Sequence, residues 1–343
     1  MYFVNVDWMQ VFCKGEFVAP YYVTCKVSEY GTKNFESFTT CYVQGEEYAI
    51  ILSKPRSSII SPQAVIIKLL NCQLYKDKAF TYFDQFIKDS GLAFVNFTRI
   101  DICADFEIFD NNMSANNFIM NFVNNKYLKT KKSTYTIRGN QIQEHVYDYL
   151  RIGSANSSLS GYLYNKTKEM RDVKMKSYIW EHWQVNGLNT EKDIYRLEFT
   201  LKNFKMKYID ESGSDYSKFN IVNFDDLNFK INLYHSLLNT GWKFKHNDGT
   251  VNKSRMKDVV FFKKAVNAQQ ISFDTDKLNS SNYTKGVINF LEQVNSEVRK
   301  TREEERTKFS RIAEDLATLT NLENWYKNIH VNKQDNSNDN STD

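Results

Sequence analysis

Three short segments constrain this chain more than any bulk property: Phe97-Thr98-Arg99-Ile100-Asp101-Ile102-Cys103-Ala104-Asp105-Phe106, Gly161-Tyr162-Leu163-Tyr164-Asn165-Lys166 and Ile194-Tyr195-Arg196-Leu197-Glu198-Phe199. Each alternates with the period of two that sends successive strand side chains to opposite faces. Arg99, Asp101 and Asp105 then share one face, as do Tyr162, Tyr164 and Lys166, and Arg196 with Glu198. If the three faces converge, carboxylates collect beside a tyrosine and several cations. That set suits metal-assisted phosphodiester chemistry through a tyrosyl nucleophile.

The pattern around these segments predicts an α+β fold with an antiparallel β-sheet core that carries the site, packed with helices and followed by a long C-terminal helix. Alternating runs such as Tyr21-Val23-Cys25-Val27 and Tyr48-Ile50-Leu52 predict antiparallel strands up to about residue 61. Ser61-Pro62 has the form of a helix start ahead of the apolar run from Ala64 to Leu70. Phe80, Phe83 and Ile87 predict a helix from Lys78 to about Lys88 that stops at Gly91, and Ser114 caps another carrying Phe118, Ile119 and Phe122. Strands return from Tyr147 to Leu201, broken by a charged helical or looped insertion between Thr167 and Trp180. Leu227 to Trp242 is a helix ending near Gly241.

A division follows into a catalytic part over 1–215, a basic DNA-recognition part packed on it over 216–283, a C-terminal helix over 284–330 and a disordered Asn/Asp/Ser-rich tail over 331–343. With 343 residues the chain can bury a full core, and its 15% aromatic content suits both β-structure and base stacking. No apolar run approaches the ~20 residues of a membrane span, and Met1 to Trp8 lacks the form of a signal peptide. A soluble, cytoplasmic protein without a membrane partner is expected. The five cysteines form no C-x-x-C pair, which argues against a zinc or disulfide framework.

Aspartate is disfavoured inside a strand, and two like charges ~4 Å apart repel by roughly 4 kcal/mol at an effective dielectric near 20. A divalent cation would reverse that sign, and ligands restricted to oxygen point to Mg²⁺ or Mn²⁺. The same residues equally fit an ion-pair network in which Arg99 and Arg196 neutralise Asp105 and Glu198. Tyr164 and Tyr162 are rival nucleophiles. Only about one free phenol in a thousand is ionised at neutral pH, a deficit of roughly 4 kcal/mol, so the surroundings must help. Lys166, two residues from Tyr164, is expected to favour the phenolate.

Absences narrow the field. No His-x-His pair is present, which removes the paired-histidine metal site of one class of nicking enzymes, and no G-x-x-x-x-G-K-[ST] loop encodes ATP-driven unwinding. The net charge of +4 is small, so nucleic-acid binding must rest on local clusters. Two basic stretches interleave cations with aromatics. The first holds Lys126, Lys129, Lys131, Lys132 and Arg138 with Tyr127 and Tyr135. The second holds Lys243, Lys245, Lys253, Arg255 and Lys257 with Trp242, Phe244, Phe261 and Phe262. Phosphate contact by the cations and base stacking by the rings fit DNA binding.

Taken in order, Thr98-Arg99-Ile100-Asp101 with Asp105, Gly153-Ser154 followed by Tyr162-Leu163-Tyr164-Asn165-Lys166, and Tyr195-Arg196-Leu197-Glu198 resemble the trans-acting rolling-circle replication initiators of Gram-positive plasmids, phages and mobile elements. Val6-Asp7-Trp8 is similar to the opening strand of the phage-type members, and the likeness runs from about residue 5 to 265. The resemblance implies a nicking-closing enzyme that attacks one strand of origin DNA, stays on the 5′-phosphate and frees a 3′-hydroxyl primer. It implies Tyr164 as nucleophile, Lys166, Arg196 and Arg99 beside it, and Asp101 and Glu198, with Asp105 as a further candidate, as ligands of Mg²⁺ or Mn²⁺. It implies double- and single-stranded origin DNA as partner, with Arg151 joining the basic residues above, a host helicase, a homodimer, and origin discrimination between Trp242 and Lys264. Tyr162 and Ala155 depart from the family pattern, which usually has Arg at the first position and a basic residue at the second. Lys166 or Arg151 would then clamp the phosphate. A relaxase of an integrative element uses the same chemistry, whereas a non-catalytic DNA-binding regulator or a phage interaction protein built on the 284–330 helix would form no covalent adduct.

Overall fold

The computed structural model describes residues 2–58, 60–130, 133–139, 147–154, 157–202, 220–250, 252 and 254–263, and the backbone of 205–209, 215–216 and 271–274. The chain divides into two compact units, Met1–Ile288 and Asn289–Asp343, and every described residue belongs to the first. The expected helix over 284–330 and the tail after it lie outside the described residues, as do Lys131, Lys132, Ala155 and Lys253.

The strands are β1 (Tyr2–Lys14), β2 (Val23–Val27), β3 (Phe35–Val43), β4 (Glu46–Pro55), β5 (Ala64–Leu69), β6 (Ala93–Phe106), β7 (Tyr127–Lys129), β8 (Tyr135–Gly139), β9 (Tyr147–Ile152), β10 (Leu159–Asn165), β11 (Tyr195–Lys202), β12 (Lys205–Ile209), β13 (Asp215–Tyr216), β14 (Phe244–His246) and β15 (Ile271–Asp274). The helices are α1 (Ala79–Asp89), α2 (Ala115–Val123), α3 (Lys166–Asp172), α4 (Ser177–Val185) and α5 (Leu227–Gly241). Ten strands form one sheet in the order β2-β3-β4-β5-β1-β6-β11-β10-β9-β8. Every neighbouring pair is antiparallel. The α+β class with an antiparallel core is therefore the observed one. The pair β7 and β14 forms a separate small ribbon.

The expected helix after Ser61-Pro62 is a strand. Ser61 to Gln63 only turn the chain, with the Ala64 amide donating to the Ser61 carbonyl at 2.9 Å, and all six residues of β5 are buried. A short unbroken apolar run rich in β-branched Val65, Ile66 and Ile67 fits a strand buried on both faces, and no period of 3.6 overrides it.

Among the described residues, the helices expected near 78–88, after Ser114 and over 227–242 form there as α1, α2 and α5. Ser114 Oγ accepts the Asn117 amide at 3.1 Å and starts α2. Asp226 caps α5 in the same way through the Asn228 amide at 2.9 Å. α1 starts at Lys78, whose side chain supplies no cap, and its orphan amides are met from far away: Asp225 accepts from the amides of Phe80 at 3.1 Å and Thr81 at 2.7 Å.

α1, α2 and α5 contribute to the large apolar core, which lines one side of the central strands. From the middle of the sheet come Ile100, Ile102, Ala104, Phe106, Leu197, Phe199 and Leu201, all buried. Trp242 packs against Gly161, where a Cβ would meet its Cε3 at 2.7 Å and Phe199 Cε1 at 3.2 Å. The glycine of the second motif is thus required by close approach rather than by an unusual φ.

Candidate active site

The strand order brings the three motifs together. β6 lies beside β11 and β11 beside β10, and their registers align the polar faces into rows. One row runs Asp105, Arg196, Tyr164, Tyr149, Arg138, and the next runs Cys103, Glu198, Tyr162, Arg151, Thr136. Residues directly opposite in such rows stand ~5 Å apart. β1 completes the site from the other side through a break in its register with β6 between Val6 and Trp8. The extra residue turns both Asp7 and Trp8 toward the polar face, as the contacts of each show.

Arg196 is the centre of this face and has no exposed surface. Its Nε donates to Asp105 Oδ1 at 2.6 Å and its Nη2 to Asp105 Oδ2 at 2.7 Å and Tyr75 Oη at 3.0 Å. Its Nη1 pairs with Asp7 at 2.7 Å, and Tyr75 Oη donates to Asp7 at 2.9 Å. Trp183 Nε1 also donates to Asp105 at 2.7 Å. Arg99 forms a second closed pair, donating from Nε to Asp101 Oδ1 at 2.9 Å and from Nη2 to Oδ2, with its guanidinium 4.3 Å from the Trp8 ring centre. The arginines thus pair with Asp101 and Asp105, not with Asp105 and Glu198. Buried charges of this kind persist only when fully partnered.

Glu198 differs from the other acids. Among the described residues no Lys or Arg forms a salt bridge with it, and Oε2 instead accepts a hydrogen bond from Tyr164 Oη at 3.0 Å. Burial, with repulsion from Asp101 and Asp7, pushes its carboxyl up to about 7. For Asp7 the Arg196 and Lys166 charges outweigh burial and hold the carboxyl well below the usual range. Burial and the Glu198 charge push the Tyr164 phenol well above 10, against a smaller opposing effect of Arg196. The expectation that Lys166 favours the phenolate is therefore corrected. Its ammonium lies 5.6 Å from the Tyr164 ring centre but is paired with Glu169 at 2.7 Å. Lys166 also sits not on the strand but at the first position of α3, because Asn165 Oδ1 accepts the Lys168 amide at 2.8 Å and caps the helix. The middle residue of Tyr-Asn-Lys is the hinge between strand and helix.

Tyr162 Oη accepts from Ser160 Oγ at 3.1 Å, although its backbone stands directly opposite Glu198. Beside it, Arg151 Nη2 donates to Thr136 at 3.3 Å, whereas its buried Nε meets no acceptor. The Arg138 guanidinium lies 5.0 Å from the Tyr149 ring centre. This half of the polar face is a set of cations interleaved with tyrosines.

The two basic stretches meet in the β7–β14 ribbon, where Lys129 opposes Phe244 and His246 opposes Tyr127. Their rings do not serve for stacking, apart from the exposed Tyr135. Trp242, Phe244, Phe261, Phe262 and Tyr127 are buried in the core. Lys243 and Lys245 pair with Asp258 at 3.6 and 2.9 Å, while Arg255 and Lys257 are exposed.

Asp7 and Tyr75 are the site residues that sequence reasoning missed. The signal for Asp7 was an acid inside an otherwise apolar strand; nothing in the sequence marked Tyr75 among 21 tyrosines. As for a divalent cation, among the described residues no three Asp, Glu, His or Cys side chains gather around one point. Glu198 fits such an ion, being an oxygen ligand under like-charge repulsion. Asp101 fits if it shares its oxygens with Arg99, and Asp105 does not fit, since Arg196 and Trp183 occupy both of its oxygens.

No family model and no curated protein matches the chain. Among solved structures the fold is similar to that described as "Structure of Rolling Circle Replication Initiator Protein from Geobacillus stearothermophilus", with a TM-score of 0.47 and 13% identity over 76% of this chain and 93% of that one.

Proposed function

We propose that this protein is a rolling-circle replication initiator that nicks origin DNA with Tyr164. The observation that carries the reading is the 3.0 Å bond from the Tyr164 hydroxyl to Glu198, a carboxyl whose affinity for protons lies near neutrality. A phenol held protonated by burial needs an acceptor at the moment of attack, and a base matched to the working pH is the efficient one. In the proposed step Glu198 takes the phenolic proton and Tyr164 Oη bonds to phosphorus. The bond from phosphorus to the 3′-oxygen breaks, and that oxygen leaves as the 3′-hydroxyl after taking a proton from solvent. The products are a 5′-phosphotyrosine and a primer end. Arg196 and Lys166 supply fixed positive charge beside the reacting phosphate.

Mg²⁺ or Mn²⁺ held by Glu198 and Asp101 would add Lewis-acid polarisation of the phosphate. Asp105, with Asp7 and Tyr75, fixes Arg196. Arg151, Arg138, Tyr149 and Tyr162 fit the path of an unpaired strand, since alternating cations and rings suit single-stranded DNA. A host helicase, a second copy of the chain and a cytoplasmic setting complete the proposal.

The closed Arg99–Asp101 and Arg196–Asp105 pairs favour a second reading, a regulator that binds DNA without cutting it. Incubation with 3′-labelled single-stranded origin oligonucleotide and Mn²⁺ separates the two. The initiator yields a protein-linked label that Tyr164→Phe abolishes and Tyr162→Phe retains; an adduct in Tyr164→Phe, or none in the parent, refutes it.

A further inference from the structure

We infer that α2 and the β7–β14 ribbon form a second DNA surface, one that reads duplex rather than single-stranded DNA and lies across the sheet from Tyr164. The inference rests on the reading that this protein acts on DNA. It adds residues outside both basic stretches and divides recognition from cleavage.

The placement follows from packing. Phe118 of α2 lies 6.2 Å from Trp242, and Trp242 packs on Gly161, whose neighbours Tyr162 and Tyr164 point to the opposite face. With Phe118 and Ile119 buried, the helix turns Asn117, Met120 and Asn121 outward, followed by exposed Asn124 at its end. Asn117 and Asn121 stand four residues apart, one above the other on the same face. They line an open groove of about 590 Å³ together with Asn112, Met120, His246 and exposed Val260.

The chemistry of the groove is that of a base-edge reader. Each amide offers a donor and an acceptor, the set that pairs with the N6 and N7 edge of adenine, and Met120 and Val260 offer apolar contact for a thymine methyl. Lys126 and Lys257 are exposed and adjoin the groove, Lys126 through its neighbour Tyr127 and Lys257 through its carbonyl, which accepts the His246 amide at 2.9 Å, so phosphates could run past both. Asp258 is neutralised by Lys243 and Lys245, and Asp248 is the remaining exposed acid of the ribbon. A helix with its side chains is about 10–12 Å across, which the ~12 Å width of the major groove admits.

Duplex is favoured over single strand because the rings here are withdrawn. Tyr127, Phe244 and Phe261 are at most 9% exposed, so these three rings offer an unpaired base no stacking platform. The surface is also stiff. Asn247 Nδ2 donates to the Asn125 carbonyl at 2.8 Å and the Asn247 amide to the Lys126 carbonyl at 2.8 Å, which ties the end of α2 to the ribbon.

The test selects a preferred sequence from 30-bp duplexes with a randomised centre, using the full chain. Anisotropy titrations then compare that duplex with a scrambled one. The double variant Asn117→Ala, Asn121→Ala is expected to lose ~10-fold or more of the parent's preference. Lys257→Ala is expected to weaken both duplexes alike and to flatten the salt dependence. Adduct formation on single-stranded oligonucleotide should be unchanged in the double variant, which also shows that it folds. A double variant that keeps the parent's preference, or that loses single-strand adduct formation in step with it, overturns the inference. If the parent forms no adduct at all, the nicking reading falls while the duplex preference still decides this one.

Discussion

The two faces of β6 and β11 are the same backbone solved in two ways. On one face Ile102, Ala104, Leu197 and Phe199 are fully buried against helices. On the other, Asp101, Asp105 and Arg196 are at most 3% exposed, so dryness does not distinguish the faces. What differs is how burial is tolerated. The apolar face gains from each area removed from water, whereas on the polar face Arg196, Asp105, Asp7, Arg99 and Asp101 are each paired with an opposite charge. A site built this way is rigid at Arg196 and reactive at Glu198.

The largest break in that comparison is Arg196→Ala. It strands Asp105 and Asp7 and should destabilise by about 3–5 kcal/mol, as much as Phe199→Ala on the other face should through its cavity, at about 3–5 kcal/mol. Urea denaturation midpoints check both. A polar face that tolerated Arg196→Ala with less than about 1 kcal/mol lost would mean that its charges are solvated, not paired.

Next in size is Gly161→Ala, which drives a methyl into Trp242 and should cost about 1–3 kcal/mol by overpacking. Because the glycine lies between Ser160 and Tyr162, its strain should also lower nicking, measurable as slower adduct formation at unchanged adduct yield.

The pH dependence follows in sign from Glu198. Its folded carboxyl titrates near 7, above the ordinary value, so the native state binds more protons than the unfolded chain between about pH 4.5 and 7. That contribution is fully present below the lower limit and is lost as pH rises through the upper one. Asp7 acts oppositely, stabilising above the ordinary carboxylate range and losing its contribution only in acid. Glu198→Gln should therefore flatten the fall in stability between pH 5 and 8 while leaving the acid limb intact, as read from melts at a series of pH values.

The smallest effect tests a polar contact on the apolar side. Asp225→Ala removes a cap from α1 and should cost about 1 kcal/mol, seen in thermal melts, without changing adduct formation.

Much of this arrangement was legible from alternation alone. Period two assigned Arg99, Asp101, Asp105, Arg196, Glu198, Tyr162 and Tyr164 to their faces, and the turn and cap residues at Gly91, Ser114 and Gly241 marked helix ends. What alternation could not give was which strands are neighbours, because register between β6 and β11 spans ninety-odd residues of chain and depends on tertiary packing. For that reason the arginines took different partners than expected. Asp7 was hidden by a bulge that breaks the period, and β5 was misread because a doubly buried strand carries no period at all. The rings of the basic stretches were judged by composition, yet Trp242 and Phe244 had a core to fill.

The bulge in β1 has a further consequence. Substituting Asp7 would change one side chain, and deleting it would leave Val6 and Trp8 adjacent, in the strict alternation that their partners Ile102 and Asp101 already keep. Trp8 would still face Arg99 while Val6 stayed in the core. Position 7 is therefore held by its charge beside Arg196 and not by phase: a chain that lost it would keep both faces of β1 and forfeit only the pair with Arg196.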